Sequence, residues 1–145
     1  MPDTTDHKII EALKEDGRST VREVSKKIRE PITTVHNRLN KLRKEGVIKK
    51  FTIVPDYEKL GKPISAFVFL NINHDKLDKE GIEGMKKQLR SFPEVDKLFA
   101  VTGDVDFIVS IRIASIKELD TFLLRKLRSL KAIQKTVTQI VLEEN

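Results

Sequence analysis

The spacing of apolar residues changes period part-way along this chain, and that change narrows the folds open to it. Up to Val54 the apolar residues recur mostly three and four apart, as on one face of a helix, whereas from Ile64 strand-like runs alternate with helical stretches. The two patterns meet across Pro55 to Pro63, a stretch suited to a linker. The 145 residues are therefore expected to form two small domains, over 1–54 and 64–145, joined by a linker at 55–63 and without internal repeats. A chain of this length has no room for a large multi-site enzyme.

Three helices are expected in the first domain. Asp3 is placed to cap the first, with Asp6 favouring its positive start and Ile9, Ile10 and Leu13 at helical spacing, and Asp16-Gly17-Arg18 ends it. Thr20-Val21-Arg22-Glu23 is a capping box opening the second, whose Val21, Val24 and Ile28 share a face. Pro31 closes that helix and opens a third, because proline breaks a helix interior but fits a first turn. Gly46 is placed to end the third helix in a left-handed cap.

The third helix carries the strongest functional signal. At about 100° per residue, Ile32, Val35, Leu39 and Leu42 fall in one arc of about 80° and form the buried stripe. Thr33, Asn37, Asn40, Lys41 and Lys44 point the opposite way, with Thr34 and Arg38 nearer the flanks. His36 is a flank residue, either packing or reaching outward. The outward face holds no acid; Glu45 stands in the last turn. Asn can bond bidentately to adenine, Thr can meet an acceptor or a thymine methyl, and Lys can reach guanine or phosphate, which suits a helix lying in the major groove of duplex DNA. After Gly46, Val47 to Val54 is a β-type run whose Lys49 and Lys50 could lie along phosphates as a small wing.

Charge agrees with this reading. The chain has a formal net charge of +6, but Arg18 to Lys50 holds eleven Lys or Arg against three acids, a net of +8 that leaves the remainder slightly acidic. A localised basic stripe releases counterions from a polyanion, although such a run can also be a merely solvated surface. There are no cysteines, so disulfides, zinc ribbons and thiolate chemistry are excluded. His7, His36 and His74 are far apart with no i,i+4 pair, so neither a metal nor another cofactor is expected. No apolar run approaches the roughly 20 residues of a membrane span, and the start lacks the layout of a signal peptide, so a cytoplasmic protein without a membrane partner is expected.

In the second domain the expected order is a strand at Ile64 to Asn73, a helix at Asp78 to Ser91, strands at Val95 to Thr102 and Phe107 to Ile113, a helix from the capping box Ser115-Ile116-Lys117-Glu118 through Leu130, and a strand at Ile133 to Leu142. Gly103-Asp104-Val105-Asp106 joins the middle strands in a hairpin-like turn. The fold class is α+β, with a ferredoxin-like βαββαβ antiparallel sheet and helices on one face. Both faces of the sheet are substantially apolar: Ala66, Val68 and Leu70 oppose Phe67 and Phe69 along the first strand. Two helices cover only one face, so the other is expected to meet a second copy of the chain in a two-fold homodimer, unless the 55–63 stretch or the N-terminal helices cover it.

These features in this order resemble the Lrp/AsnC (feast/famine) transcription regulators of bacteria and archaea over essentially the whole chain. The resemblance rests on Asp3-x-x-Asp6-x-x-Ile9-Ile10, Asp16-Gly17-Arg18, Thr20-x-x-Glu23-Val24-Ser25, Val35-x-x-Arg38-Leu39-x-x-Leu42-x-x-x-Gly46-Val47-Ile48 and Gly103-Asp104-x-Asp106. It implies a winged helix-turn-helix followed by the regulator-type βαββαβ domain, dimers made through the sheets, and assembly into larger forms such as octamers. The implied DNA contacts are Thr33, Thr34, Asn37, Arg38 and Lys41, with Arg22, Lys44, Lys49 and Lys50 on phosphates. Pro31 stands where the family usually has a serine, which removes that one cap and contact.

The resemblance also implies a small-molecule effector, commonly an amino acid, near Gly103, Asp104 and Asp106, with Thr136 and Thr138 matching a Thr-x-Thr that lines the same pocket. Backbone N–H groups of a tight turn can hold a carboxylate, and a nearby Asp can pair with an α-ammonium. The plainer reading is that the two acids favour the turn and the threonines the strand. An enzyme is disfavoured, since no nucleophile and base, no phosphate loop and no histidine accompany the turn. The remaining alternative to a sequence-specific regulator is an architectural DNA binder holding phosphates alone, without an effector.

Overall fold

Three helices make up the first of the two units into which the chain divides, Met1–Val54 and Pro55–Asn145. A computed structural model describes all of residues 1–145. Helix α1 (Thr4–Glu15) is closed at its start by a reciprocal box in which the Asp3 carboxylate accepts from Asp6 N at 3.0 Å and the Asp6 carboxylate accepts from Asp3 N at 2.9 Å. Helix α2 (Val21–Ile28) repeats the device with Thr20 and Glu23. Two N–H groups that a helix start otherwise leaves without partners are satisfied each time.

The turn from α2 to α3 (Ile32–Lys44) is tight. Arg29 adopts φ 57° and is the one non-glycine residue in the left-handed region. Ser25, buried, donates its hydroxyl to Glu30 O at 2.5 Å and fixes the turn from within. Pro31 sits just outside α3 as its N-cap and provides no side-chain cap. At the far end Gly46, at φ 72°, lets the chain reverse, and Ile48 N returns to Leu42 O at 3.1 Å.

Ile9, Ala12, Val24, Val35 and Leu42 form the buried core of this unit, with Leu39 and Ile48 partly buried against it. Each fully buried aliphatic side chain stabilises the fold by about 1.5–3 kcal/mol relative to leaving it in water. Two expectations fail here. Ile32 is 46% exposed, because as the first residue of α3 it lies beyond the Val35 to Leu42 stretch that meets the other helices. Residues 47–54 form no strand, since a strand exists by pairing and the unit offers no partner; Ile53 and Val54 stand open to solvent.

The second unit is a four-stranded antiparallel sheet in the order β2-β3-β1-β4, built from β1 (Ile64–Ile72), α4 (Gly81–Ser91), β2 (Val95–Ala100), β3 (Phe107–Ile113), α5 (Ile116–Thr121) and β4 (Ile133–Ile140). This is the expected βαββαβ order. Helix α4 starts three residues late because Asp78 makes a turn of its own, accepting from Glu80 N at 3.0 Å. Strands β2 and β4 stop two residues short of expectation.

Helix α5 continues as a π turn over Phe122–Lys126 and a 3-10 turn over Leu127–Ser129. Phe122 and Leu127 would lie about 140° apart on a regular helix, and the wider turn brings both into the core, where both are fully buried. The core lies between sheet and helices, around Ala66, Val68, Leu70, Val109, Ile111 and Phe122.

The register sorts the opposite face. Phe67 stands across from Ser110 and Gln139, and Phe69 across from Ile108 and Val137, with Phe99 beyond Ile108. Phe67, Phe99 and Val137 are exposed. At one end the Tyr57 ring lies 4.3 Å from the Arg112 guanidinium carbon, and Arg112 pairs with Glu144 at 2.9 Å, so the 55–63 stretch covers that end and leaves the phenylalanines open. No helix of the structure is long and apolar enough to cross a membrane.

Candidate nucleic-acid interface and candidate effector turn

Helix α3 presents Thr33, Asn37, Asn40, Lys41 and Lys44 to solvent, while Thr34 is half-buried on a flank. The interior side is fixed by Val35 and Leu42, so the polar side can only face outward. Lys41 stands 3.9 Å from Glu45 in an exposed i,i+4 pair of small energetic weight. Arg22, at the start of α2, and Lys49 and Lys50, beyond Gly46, are exposed.

Arg38 is tied into the fold by two carboxylates. Its guanidinium Nη1 donates to Asp3 at 2.5 Å and to Asp6 at 3.3 Å, joining α3 to the capped start of α1. The Arg38 hydrogen bond, helped by the N–H of Asp6, holds the Asp3 carboxyl at about 2, well below the ordinary value. The same bonds raise the arginine further. Asp3 and Asp6 thus cap a helix and neutralise a cation with the same carboxylates.

His36 is exposed rather than packed, and its Nε2 lies 3.2 Å from the Asn40 amide nitrogen one turn on. Sequence reasoning left both outside the expected site; the signal available was their i,i+4 spacing on the polar side.

In the second unit, residues 103–106 are tied to the end of β1 rather than free. Gly103 has φ 108°. Asp106 N donates to Leu70 O at 2.9 Å, the Asp106 carboxylate accepts from Ile72 N at 2.8 Å, and the Asn71 side-chain amide donates to Asp104 O at 2.6 Å. Asp106 therefore satisfies a backbone donor where the β1–β4 register shifts, between Asn71 and Ile72, and its Oδ1 is left for other work. Asp104 is exposed. Thr136 and Thr138 pair with Leu70 and Val68, so Thr136 and the turn flank the same end of β1 from opposite sides, about 10 Å apart at two strand spacings. Asn71 was missed; a lone amide at the end of an apolar strand was its only mark.

Comparison with known proteins agrees with both units. Residues 2–49 match the family model for a winged helix-turn-helix DNA-binding domain, and residues 65–145 match that for the Lrp/AsnC ligand binding domain. The chain belongs to the Lrp/AsnC family. Among Lrp/AsnC relatives, the HTH-type transcriptional regulator FL11 of Pyrococcus horikoshii is 37% identical over 141 residues, 97% of this chain and 89% of the relative. Two solved structures of the family are similar throughout. A transcriptional regulator from Neisseria meningitidis, crystallised with L-Met, matches at TM-score 0.91 with 27% identity over 99% of this chain and 92% of its own. AsnC of Escherichia coli matches at 0.84 with 26% identity over 99% and 94%. Lrp/AsnC proteins are DNA-binding transcriptional regulators and not enzymes, so α3 belongs to a DNA-binding domain and the 103–106 turn to a ligand-binding domain.

Proposed function

We propose that this Lrp/AsnC regulator binds DNA sequence-specifically, reading base edges with Thr33, Asn37 and Lys41, and that an amino acid adjusts its binding or assembly. The observation that carries the reading is the outward side of α3, where hydroxyl, amide and cationic side chains stand exposed over three turns with no carboxylate among them. Thr34 supports from the flank, and Arg22, Lys44, Lys49 and Lys50 hold phosphates. Arg38 is assigned to the fold instead, since two carboxylates already hold it.

The effector is placed at Gly103, Asp104 and Asp106 with Thr136 and Thr138, and L-Met in the Neisseria relative supports an amino acid as its class. Two copies pair through the open sheet face around Phe67, Phe69, Phe99 and Val137, because a patch of that kind is seldom left to water. Higher assemblies are built from such dimers.

Selection from a random DNA pool, followed by binding measurements, tests specificity. Asn37→Ala should relax preference at particular bases, whereas Lys44→Ala should weaken all sequences alike. Identical behaviour of the two variants would favour an architectural binder. For a dimer, footprints should repeat about every 10 base pairs or a multiple. A calorimetric screen of the twenty amino acids, with Thr138→Val as control, tests the effector, and no heat from any of them would end that part of the reading.

A further inference from the structure

Between the last turns of α3 and the segment after Gly46 lies a recess of about 510 Å3, walled by Asn40, Arg43, Lys44, Lys49, Lys50 and Phe51 and floored by Ile48. We infer that this recess grips the phosphate backbone of duplex DNA beside the groove that receives α3, with Arg43 as the phosphate fork and Phe51 as the platform that positions it. The inference rests on the DNA-binding reading and adds two residues to it, Arg43 and Phe51.

Charge names the occupant. Arg43, Lys44, Lys49 and Lys50 line one concavity with no acid among its walls. The ion pairs of this unit go to Lys14, Lys27, Arg38 and Lys41, so these four cations keep their charge for an external anion. A helix C-terminus carries only about half a negative charge, which four cations outweigh. The recess also continues the polar side of α3 through Asn40 and Lys44, so an anion seated in it belongs to the molecule that α3 faces.

The walls are set in place by the fold. The left-handed Gly46 and the bond from Ile48 N to Leu42 O fix the direction in which the chain leaves α3, and partly buried Ile48 anchors it to the core. The Arg43 guanidinium carbon lies 5.7 Å from the Phe51 ring centroid, within cation–π range. An arginine held over a ring keeps its planar donor edge free, and that edge matches a phosphodiester bidentately.

The test uses the full chain and a random-sequence 40-base-pair duplex, with affinity measured across a salt series at neutral pH. Arg43→Ala should lower the slope of log K against log salt by about 0.9 and weaken binding roughly fivefold to tenfold at 0.1 M salt, as loss of one phosphate contact does. Arg43→Lys should keep the slope. Phe51→Ala should weaken binding about threefold in the wild-type background and not at all in the Arg43→Ala background, because the ring acts through the guanidinium. An unchanged slope and affinity in Arg43→Ala, in a protein whose wild type still binds the duplex, overturns the inference and leaves the DNA-binding reading standing. Equal effects of Phe51→Ala in both backgrounds overturn the positioning role. Competition by inorganic phosphate in the millimolar range, at fixed ionic strength, would mean a free-anion site and overturn the choice of occupant. A wild type that binds no duplex fails the underlying reading instead.

Discussion

Two arginines five residues apart on α3 meet opposite surroundings. Arg38 faces α1 and is held by Asp3 and Asp6, whereas Arg43 faces the segment after Gly46 and meets an aromatic ring and three lysines. The first cation is spent inside the fold and the second is left for an anion. Residue type does not assign an arginine its role; the partner that the neighbouring element presents does.

The largest test is to place a carboxylate where none exists. Arg43→Glu removes one phosphate contact and adds a repulsion, so the salt slope should fall by about 1.8 and affinity on the order of fiftyfold at 0.1 M salt, with thermal stability nearly unchanged. A loss of stability comparable to that of an Arg38 variant would erase the contrast.

Arg38→Ala should do the reverse. The melting temperature should fall measurably as the tie between α1 and α3 is lost, with no change in salt slope. A reduced slope would return Arg38 to the DNA surface.

Arg29→Gly tests the turn between α2 and α3, read through stability. It relieves a left-handed residue at the turn that sets the course of α3, and should stabilise by about 0.5–1 kcal/mol in chemical denaturation. A variant no more stable than the wild type would mean that the left-handed turn carries no strain at Arg29.

The smallest effect is one of pH. The carboxyl of Asp3 is depressed from 3.8 to about 2 in the fold, so its contribution is present above about pH 3.8 and is lost as pH falls through about 2. Asp3→Asn should therefore flatten the acid limb of a stability profile between about pH 4 and pH 2. An acid limb as steep as that of the wild type would show that Arg38 draws little from Asp3.

What was legible in the sequence is largely what depends on near neighbours. The Asp3 cap and the Thr20–Glu23 capping box of the first unit each close within three residues, and the βαββαβ order follows from runs that change period at glycine, proline and capping residues. The open face was legible too, because Phe67 and Phe69 must oppose Val68 and Leu70 on any strand. What the sequence did not show involves partners far along the chain or neighbours that are missing. Arg38 meets acids more than thirty residues earlier, through packing that no spacing encodes. Asp106 finds Ile72 N only once β1 and β3 are side by side, and Asn71 joins it for the same reason. Residues 47–54 have the composition of a strand but lack a neighbour to pair with, and Ile32 has the right phase for burial but stands past the end of the contact.

The bonds from Leu70, Asn71 and Ile72 to residues 103–106 have a thermodynamic consequence. A loop that must order itself around a small molecule loses conformational entropy on binding, of order 1 kcal/mol for each residue fixed. Here folding has already frozen the turn, so a ligand seated on it would find its backbone donors preorganised. Its affinity would then be limited less by ordering the chain than by which side chains stand around the turn.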